Sequence, residues 1–130
     1  MKSTVLWTNS TPGTQAGGYE ANLLDSIQNY DYLKITYGYA TNQYTTDNNI
    51  NTVIVSVTDF INKMASASTG FGGSLLVVHR SNGYFYSRGF AYRNSDTKVY
   101  FGNTIQFSVG SNGAVNNVYT VPLNIIGIKS

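Results

Sequence analysis

This sequence predicts an all-β fold, an antiparallel β-sandwich or jelly-roll-like single domain spanning residues 1–130, on three observations. Short segments that alternate apolar and polar residues recur along the chain at even spacing. Turns rich in Gly and Asn separate them, and almost nowhere does an apolar stripe repeat at helical spacing. No linker divides the chain and no internal repeat is visible, so 130 residues suit one domain with a core of its own.

Val5 to Thr8 (VLWT) reads as a short strand with Val5 and Trp7 on one face, and Asn9 to Gly18 as a loop punctuated by Pro12, Gly13, Gly17 and Gly18. Tyr19, Ala21 and Leu23 alternate with Glu20 and Asn22 in a second strand, and Asp25 to Asn29 turns the chain. In YDYLKITYGY the alternation directs Leu33, Ile35 and Tyr37 inward and Tyr32, Lys34 and Thr36 outward. Ala40 to Asn51 reads as a polar loop, after which Thr52 to Thr58 resumes a strand through Val53, Val55 and Val57. Thr58 or Asp59 is placed to cap a turn of helix carrying Phe60 and Met64 on one side. Ser66 to Gly73 is a Gly- and Ser-rich connection. Asn94 to Thr97 turns, and two further strands are joined near Gly102-Asn103. A turn at Asn112-Gly113 leads to the last strand, Val118 to Ile128, which alternates through Tyr119, Val121, Leu123 and Ile125 before becoming apolar on both faces. Pro122 within it predicts a sheet edge, or a nitrogen that points away from any neighbour.

Between these lies the most distinctive stretch, SLLVVHRSNGYFYSRGFAY from Ser74 to Tyr92. Asn82-Gly83 between two strand-like runs marks a β-hairpin with a tight turn. With those two as loop residues, Ser81 faces Tyr84, His79 faces Tyr86, Val77 faces Arg88 and Leu75 faces Phe90 on one side; Arg80 with Phe85, Val78 with Ser87, and Leu76 near Gly89 form the other. The only histidine and all the arginines (Arg80, Arg88, Arg93) fall in or just after this hairpin.

Only 11% of residues are charged, giving a formal net charge of +2 with no basic run, so nothing points to nucleic acid. Eleven tyrosines among many Asn, Ser, Thr and 13 Gly stand where charge usually does. Tyrosine offers flat contact area at low entropic cost, the chemistry of paratopes and sugar-binding surfaces, yet Tyr, Thr and Val are also simply good strand formers. The absence of cysteine excludes disulfides, thiolate metal sites and a cysteine nucleophile. Neither a signal peptide nor a membrane-spanning apolar run is recognisable. The carboxylates Glu20, Asp25, Asp31, Asp47, Asp59 and Asp96 are scattered, mostly in turns where Asp serves the backbone, so a glycosidase pair is arithmetically available but not indicated. His79 has no Gly-x-Ser-x-Gly partner, Asp47-Asn48-Asn49 lacks EF-hand spacing, and Gly70-Phe71-Gly72-Gly73 has no following lysine. No metal, no cofactor and no enzymatic activity is therefore expected.

Three segments, VLWTN (Val5 to Asn9), NYDYLKITY (Asn29 to Tyr37) and VPLNIIGIKS (Val121 to Ser130), taken together resemble the C-terminal head domain of tail, baseplate or receptor-binding proteins from phages of Gram-positive bacteria. The middle of the chain carries no such motif. Gly17-Gly18-Tyr19 departs from the usual approach to the second strand, and Asn124 stands where a lysine often appears. The resemblance implies a homotrimer at the tip of a fibre or baseplate appendage in the virion, beside other tail or baseplate proteins, that binds host cell-wall or surface polysaccharide. It also explains the missing signal peptide, because virion proteins leave by lysis.

On that reading the saccharide-binding candidates are His79, Tyr84, Tyr86 and Arg88 as one hairpin cluster, with Tyr44 and Asp47 from the polar loop beside them. Trp7 would suit sugar stacking, but its place in the opening motif assigns it to packing. Ile125 reads as core, whereas Ile126 and Ile128 lie on the face opposite the apolar alternation and read as trimer contacts. The alternative function is a structural trimerising or carrier module that touches no host. A depolymerising enzyme is disfavoured by the missing acid/base pair and by the small size.

Overall fold

The computed structural model describes residues 1–12, 17–40, 46–64, 73–78, 85–108, 111–114 and 120–130. Two antiparallel sheets face one another. The first runs in the order β1 (Lys2–Thr8), β9 (Val121–Lys129), β3 (Tyr32–Ala40) and β4 (Thr46–Ser56). The second runs β2 (Tyr19–Asn22), β7 (Lys98–Ser108), β6 (Phe85–Ala91) and β5 (Gly73–Val78), with β8 (Ser111–Ala114) also paired to β7. The inner faces supply the core. Leu6, Leu33, Ile35 and Ile125 of the first sheet and Ala21, Leu75, Val77, Phe90, Val99 and Phe101 of the second are all buried.

Alternation places the β3 residues as predicted, with Leu33, Ile35 and Tyr37 inside, and does the same for Ala21 and Leu23 around β2. The turn after β2 contains one turn of 3-10 helix, Ile27–Asn29, whose buried Ile27 closes one part of the core. The predicted helical turn is α1 (Val57–Lys63), with Phe60 buried, but its cap is Ser56. The Ser56 hydroxyl accepts from the Asp59 amide at 3.0 Å, so neither Thr58 nor Asp59 is the capping residue. At the turn after β6, Asn94 adopts φ 55°, a left-handed conformation that Asn tolerates.

Departures from the sequence reading arise at β-bulges and in strands of low hydrophobicity. Val5 is paired with Ile126 and Trp7 with Ile125, so Leu6 is an extra residue in β1. Leu6 therefore points inward and Val5 outward, rather than Val5 sharing a face with Trp7. The segment from Thr46 is strand, because β3 supplies a pairing partner that its polar side chains alone do not advertise. Gly102-Asn103 joins no two strands. Arg88 pairs with Thr104 and Phe90 with Phe101, so these two residues oppose Gly89 alone as a bulge within one continuous β7. Asn112-Gly113 likewise lies in β8, opposite Phe107 and Gln106, and not in a turn. Pro122 is not at an edge, since β9 lies between β1 and β3. It sits beyond the last pair with β1, Thr8 with Asn124, and beside a register shift against β3, where no ladder donor is required of it.

The hairpin forms with a different register. Val77 pairs with Tyr86, Leu75 with Arg88 and Gly73 with Phe90, a displacement of two residues from the predicted pairing. An even shift leaves every side chain on the face it already had. The turn at Asn82-Gly83 and the connection from Ser66 lie outside the described residues, as does Tyr119.

Two glycines are fixed by rings laid over them. A Cβ at Gly73 would overlap the Phe90 ring, and one at Gly127 would sit 2.7 Å from Cδ1 of Tyr30 and 3.0 Å from Leu6. Tyr30 is held over Gly127 by its hydroxyl, which donates to Asp25 at 2.9 Å.

Candidate binding site

The bulge in β1 turns Trp7 toward the space between the sheets, where edge strand β2 brings Tyr19 and β7 brings Phe101. The three rings form a triangle, with centroids 6.3 Å apart for Trp7 and Tyr19, 6.0 Å for Trp7 and Phe101, and 5.4 Å for Tyr19 and Phe101. Phe101 is buried, while Trp7 and Tyr19 are half-buried and keep part of their surface in water. Tilted rings at such spacings attract one another through edge and face, so the cluster is stiff.

Behind it lies Arg88, 1% exposed. Its guanidinium stands 5.6 Å from the centre of the Tyr19 ring and donates to Thr104 Oγ1 at 2.8 Å. Burial pushes the Tyr19 hydroxyl up to about 12, against the opposing pull of the Arg88 charge. The same burial lowers Arg88, with Tyr19 opposing. The Tyr19 oxygen is buried with no well-aligned hydrogen-bond partner, yet lies close enough to the guanidinium to feel its charge, so the contact is electrostatic more than directional.

This has a spectroscopic consequence. Tyr19 should ionise about 2 pH units after an ordinary tyrosine, visible as a late tyrosinate absorbance step in wild-type chain that Tyr19→Phe lacks. Because the folded value is raised above the ordinary 10.0, the stability Tyr19 contributes is complete below pH 10 and is lost as pH rises toward 12. An alkaline titration with no delayed component would contradict the burial.

On the outer face of the second sheet the Arg93 guanidinium lies flat on the Tyr100 ring, 3.5 Å from its centre. Gly18 passes against the Tyr100 hydroxyl, which would be 2.9 Å from an added Cβ. The Phe101 carbonyl, 3.2 Å from the same added Cβ, leaves little room for a side chain at Gly18. Against protein-family models and curated protein sequences, the chain finds no match.

The described carboxylates all have structural partners. Glu20 pairs with Lys98 at 3.2 Å and Asp59 with Lys63 at 3.3 Å. Asp25 accepts from Tyr30, Ser26 and Asn29, and Asp31 accepts from the Ser130 hydroxyl and amide, contacts that hold both carboxyls below their ordinary range. Asp96 accepts from the Tyr92 hydroxyl at 3.0 Å. Among the described residues no three His, Asp or Glu converge as a metal site would require.

Of the predicted saccharide contacts, Tyr86 and Arg88 must be reassigned. Each is 1% exposed, on the inner face with Val77 and Leu75, so neither presents a surface to a sugar. The outward side of the hairpin instead carries Leu76 and Phe85, 49% and 45% exposed. His79, Tyr84 and Tyr44 lie outside the described residues, as does the side chain of Asp47, whose backbone is part of β4. Ile126 and Ile128 are half-buried on the outer face of the first sheet, where Val5, Ile126, Lys34 and Ile54 form one row across four strands. The aromatic triangle was missed because residues 7, 19 and 101 meet only through the fold of the two sheets. Trp7, the lone tryptophan, was the one signal of it in the sequence.

Proposed function

We propose that this chain is a phage receptor-binding domain that attaches to saccharide on the surface of a Gram-positive host, as a virion component and without a catalytic step. The observation that supports it best is the half-buried Trp7 and Tyr19 pair, a stiff aromatic surface of the kind on which sugar rings stack. Arg88 acts from behind as a positioning residue that holds Tyr19 in place, since its own guanidinium is buried. The sandwich and the three family-like segments agree with this reading, and the structural engagement of the described carboxylates favours recognition over hydrolysis.

The test is binding of fluorescently tagged chain to a panel of Gram-positive cells, before and after chemical removal of surface polysaccharide. Strain-specific binding that disappears with the polysaccharide is the expected result, and Trp7→Ala should weaken it about tenfold, the worth of ~1.5 kcal/mol of stacking. A folded chain that binds no strain would refute the adhesion reading.

A second reading, a structural or carrier module of a tail, is favoured by one observation. The outer face of the first sheet exposes Val5 (51%), Ile54 (56%) and Tyr32 (43%) beside Ile126 and Ile128, the residues assigned to a trimer contact.

A further inference from the structure

The sandwich has several strands at its lateral edges, and most carry a described feature that blunts them. Leu6 of β1 already gives its carbonyl to the Leu24 amide at 2.9 Å. Strand β2 is four residues long and carries the Glu20–Lys98 pair. On β5 the Leu76 amide donates to the Tyr37 hydroxyl at 3.4 Å. Strand β4 differs. It is 11 residues long, and among the described residues only β3 is paired to it.

From Ile50 to Ser56 the β4 sequence is INTVIVS, with no charge, proline or glycine. Exposed edges usually carry such devices, because an open ladder recruits another strand. The outward face of the stretch is also self-complementary. In an antiparallel pairing of two copies centred on Thr52, Thr52 lies opposite Thr52 and Ile50 opposite Ile54. These three point outward with comparable exposure, Ile50 49% and Ile54 56%, and Thr52 exposed between them. Thr–Thr and β-branched pairs are favourable cross-strand neighbours, and a neutral segment meets its own copy without like-charge repulsion.

We propose that β4 pairs with β4 of a second copy about a two-fold axis in this register, joining the two four-stranded sheets into one continuous sheet. The occupant is the same chain because the outward-facing residues Ile50, Thr52 and Ile54 read alike in both directions about Thr52. This contact is separate from the adhesion reading and can fail without it.

Sedimentation of the wild-type chain is expected to give an even number of copies. Ile54→Lys, on an exposed side chain, is expected to halve that mass while the chain stays folded. In Thr52→Cys, the variant's only thiol, mild oxidation is expected to cross-link chains in pairs, since directly opposed antiparallel residues have suitable spacing. A monomer, an odd-numbered assembly, a mass unchanged by Ile54→Lys, or a Thr52→Cys chain that stays uncross-linked would each overturn the proposal.

Discussion

Replacing Tyr86 by alanine is expected to destabilise the domain by about 3–5 kcal/mol, the range for removing a buried aromatic side chain from a packed core. A Tyr86 that served the hairpin cluster as a sugar contact would instead lose binding on this change with little shift in melting temperature, whereas loss of fold marks a core residue. With 1% of its surface exposed, Tyr86 cannot act on a ligand directly. Any binding defect in Tyr86→Ala should therefore track the unfolded fraction and recover at low temperature. Tyr86→Phe separates the ring from the hydroxyl and should cost only about 1 kcal/mol, the net worth of a typical hydrogen bond. Denaturant titration of the two variants checks both figures. A Tyr86→Ala midpoint equal to wild type would show that the hairpin does not sit as described.

The second large effect is expected at Gly127. Its Cα lies under the Tyr30 ring, and a methyl group there would stand 2.7 Å from two ring carbons, Cγ and Cδ1. The ring has little freedom to retreat, because its hydroxyl is tied to Asp25 at 2.9 Å and its backbone amide donates to Ile27 at 3.0 Å. Gly127→Ala should thus cost about 1–3 kcal/mol as an overpacking defect. The clash is specific to one partner, so the double variant Gly127→Ala with Tyr30→Ala should cost clearly less than the sum of the single changes. Additive costs would place the strain elsewhere. The same logic applies at Gly73, where the opposing Phe90 ring belongs to the core and is still closer.

The architecture was legible where one face of a strand is apolar and the other polar. Leu33, Ile35 and Tyr37 against Tyr32, Lys34 and Thr36 is such a case, and its sidedness holds in β3. Period-2 reasoning stumbled wherever the backbone adds a residue. Leu6 and Gly102-Asn103 break the alternation without leaving a mark in composition, since Gly-Asn reads equally as a turn or a bulge. In the hairpin the difficulty was different. Leu75, Leu76, Val77 and Val78 are apolar on both sides, so the opposing strand had to decide which side is inner. Arg88 suggested the outer side, as an arginine usually would. Here aromatic neighbours and Thr104 accommodate its charge inside, and the face holding Phe85 is the one in water. The aromatic triangle, built from three distant positions, had no local signature to read.

Strand β9 pairs with β1 on one side and β3 on the other, although the residues it joins lie some of the greatest sequence distances apart that this chain allows. During synthesis β1 and β3 therefore leave the ribosome with no strand between them, and β3 can pair only with β4. The first sheet cannot close until β9, the last of its four strands to be made, has emerged, so assembly of the sandwich waits for that strand. Until then Leu33 and Ile35 lack their β9 neighbours, Gly127 and Ile125. Ribosome-bound chains halted before Val121 should accordingly be cut by protease within β1, and released chains should resist.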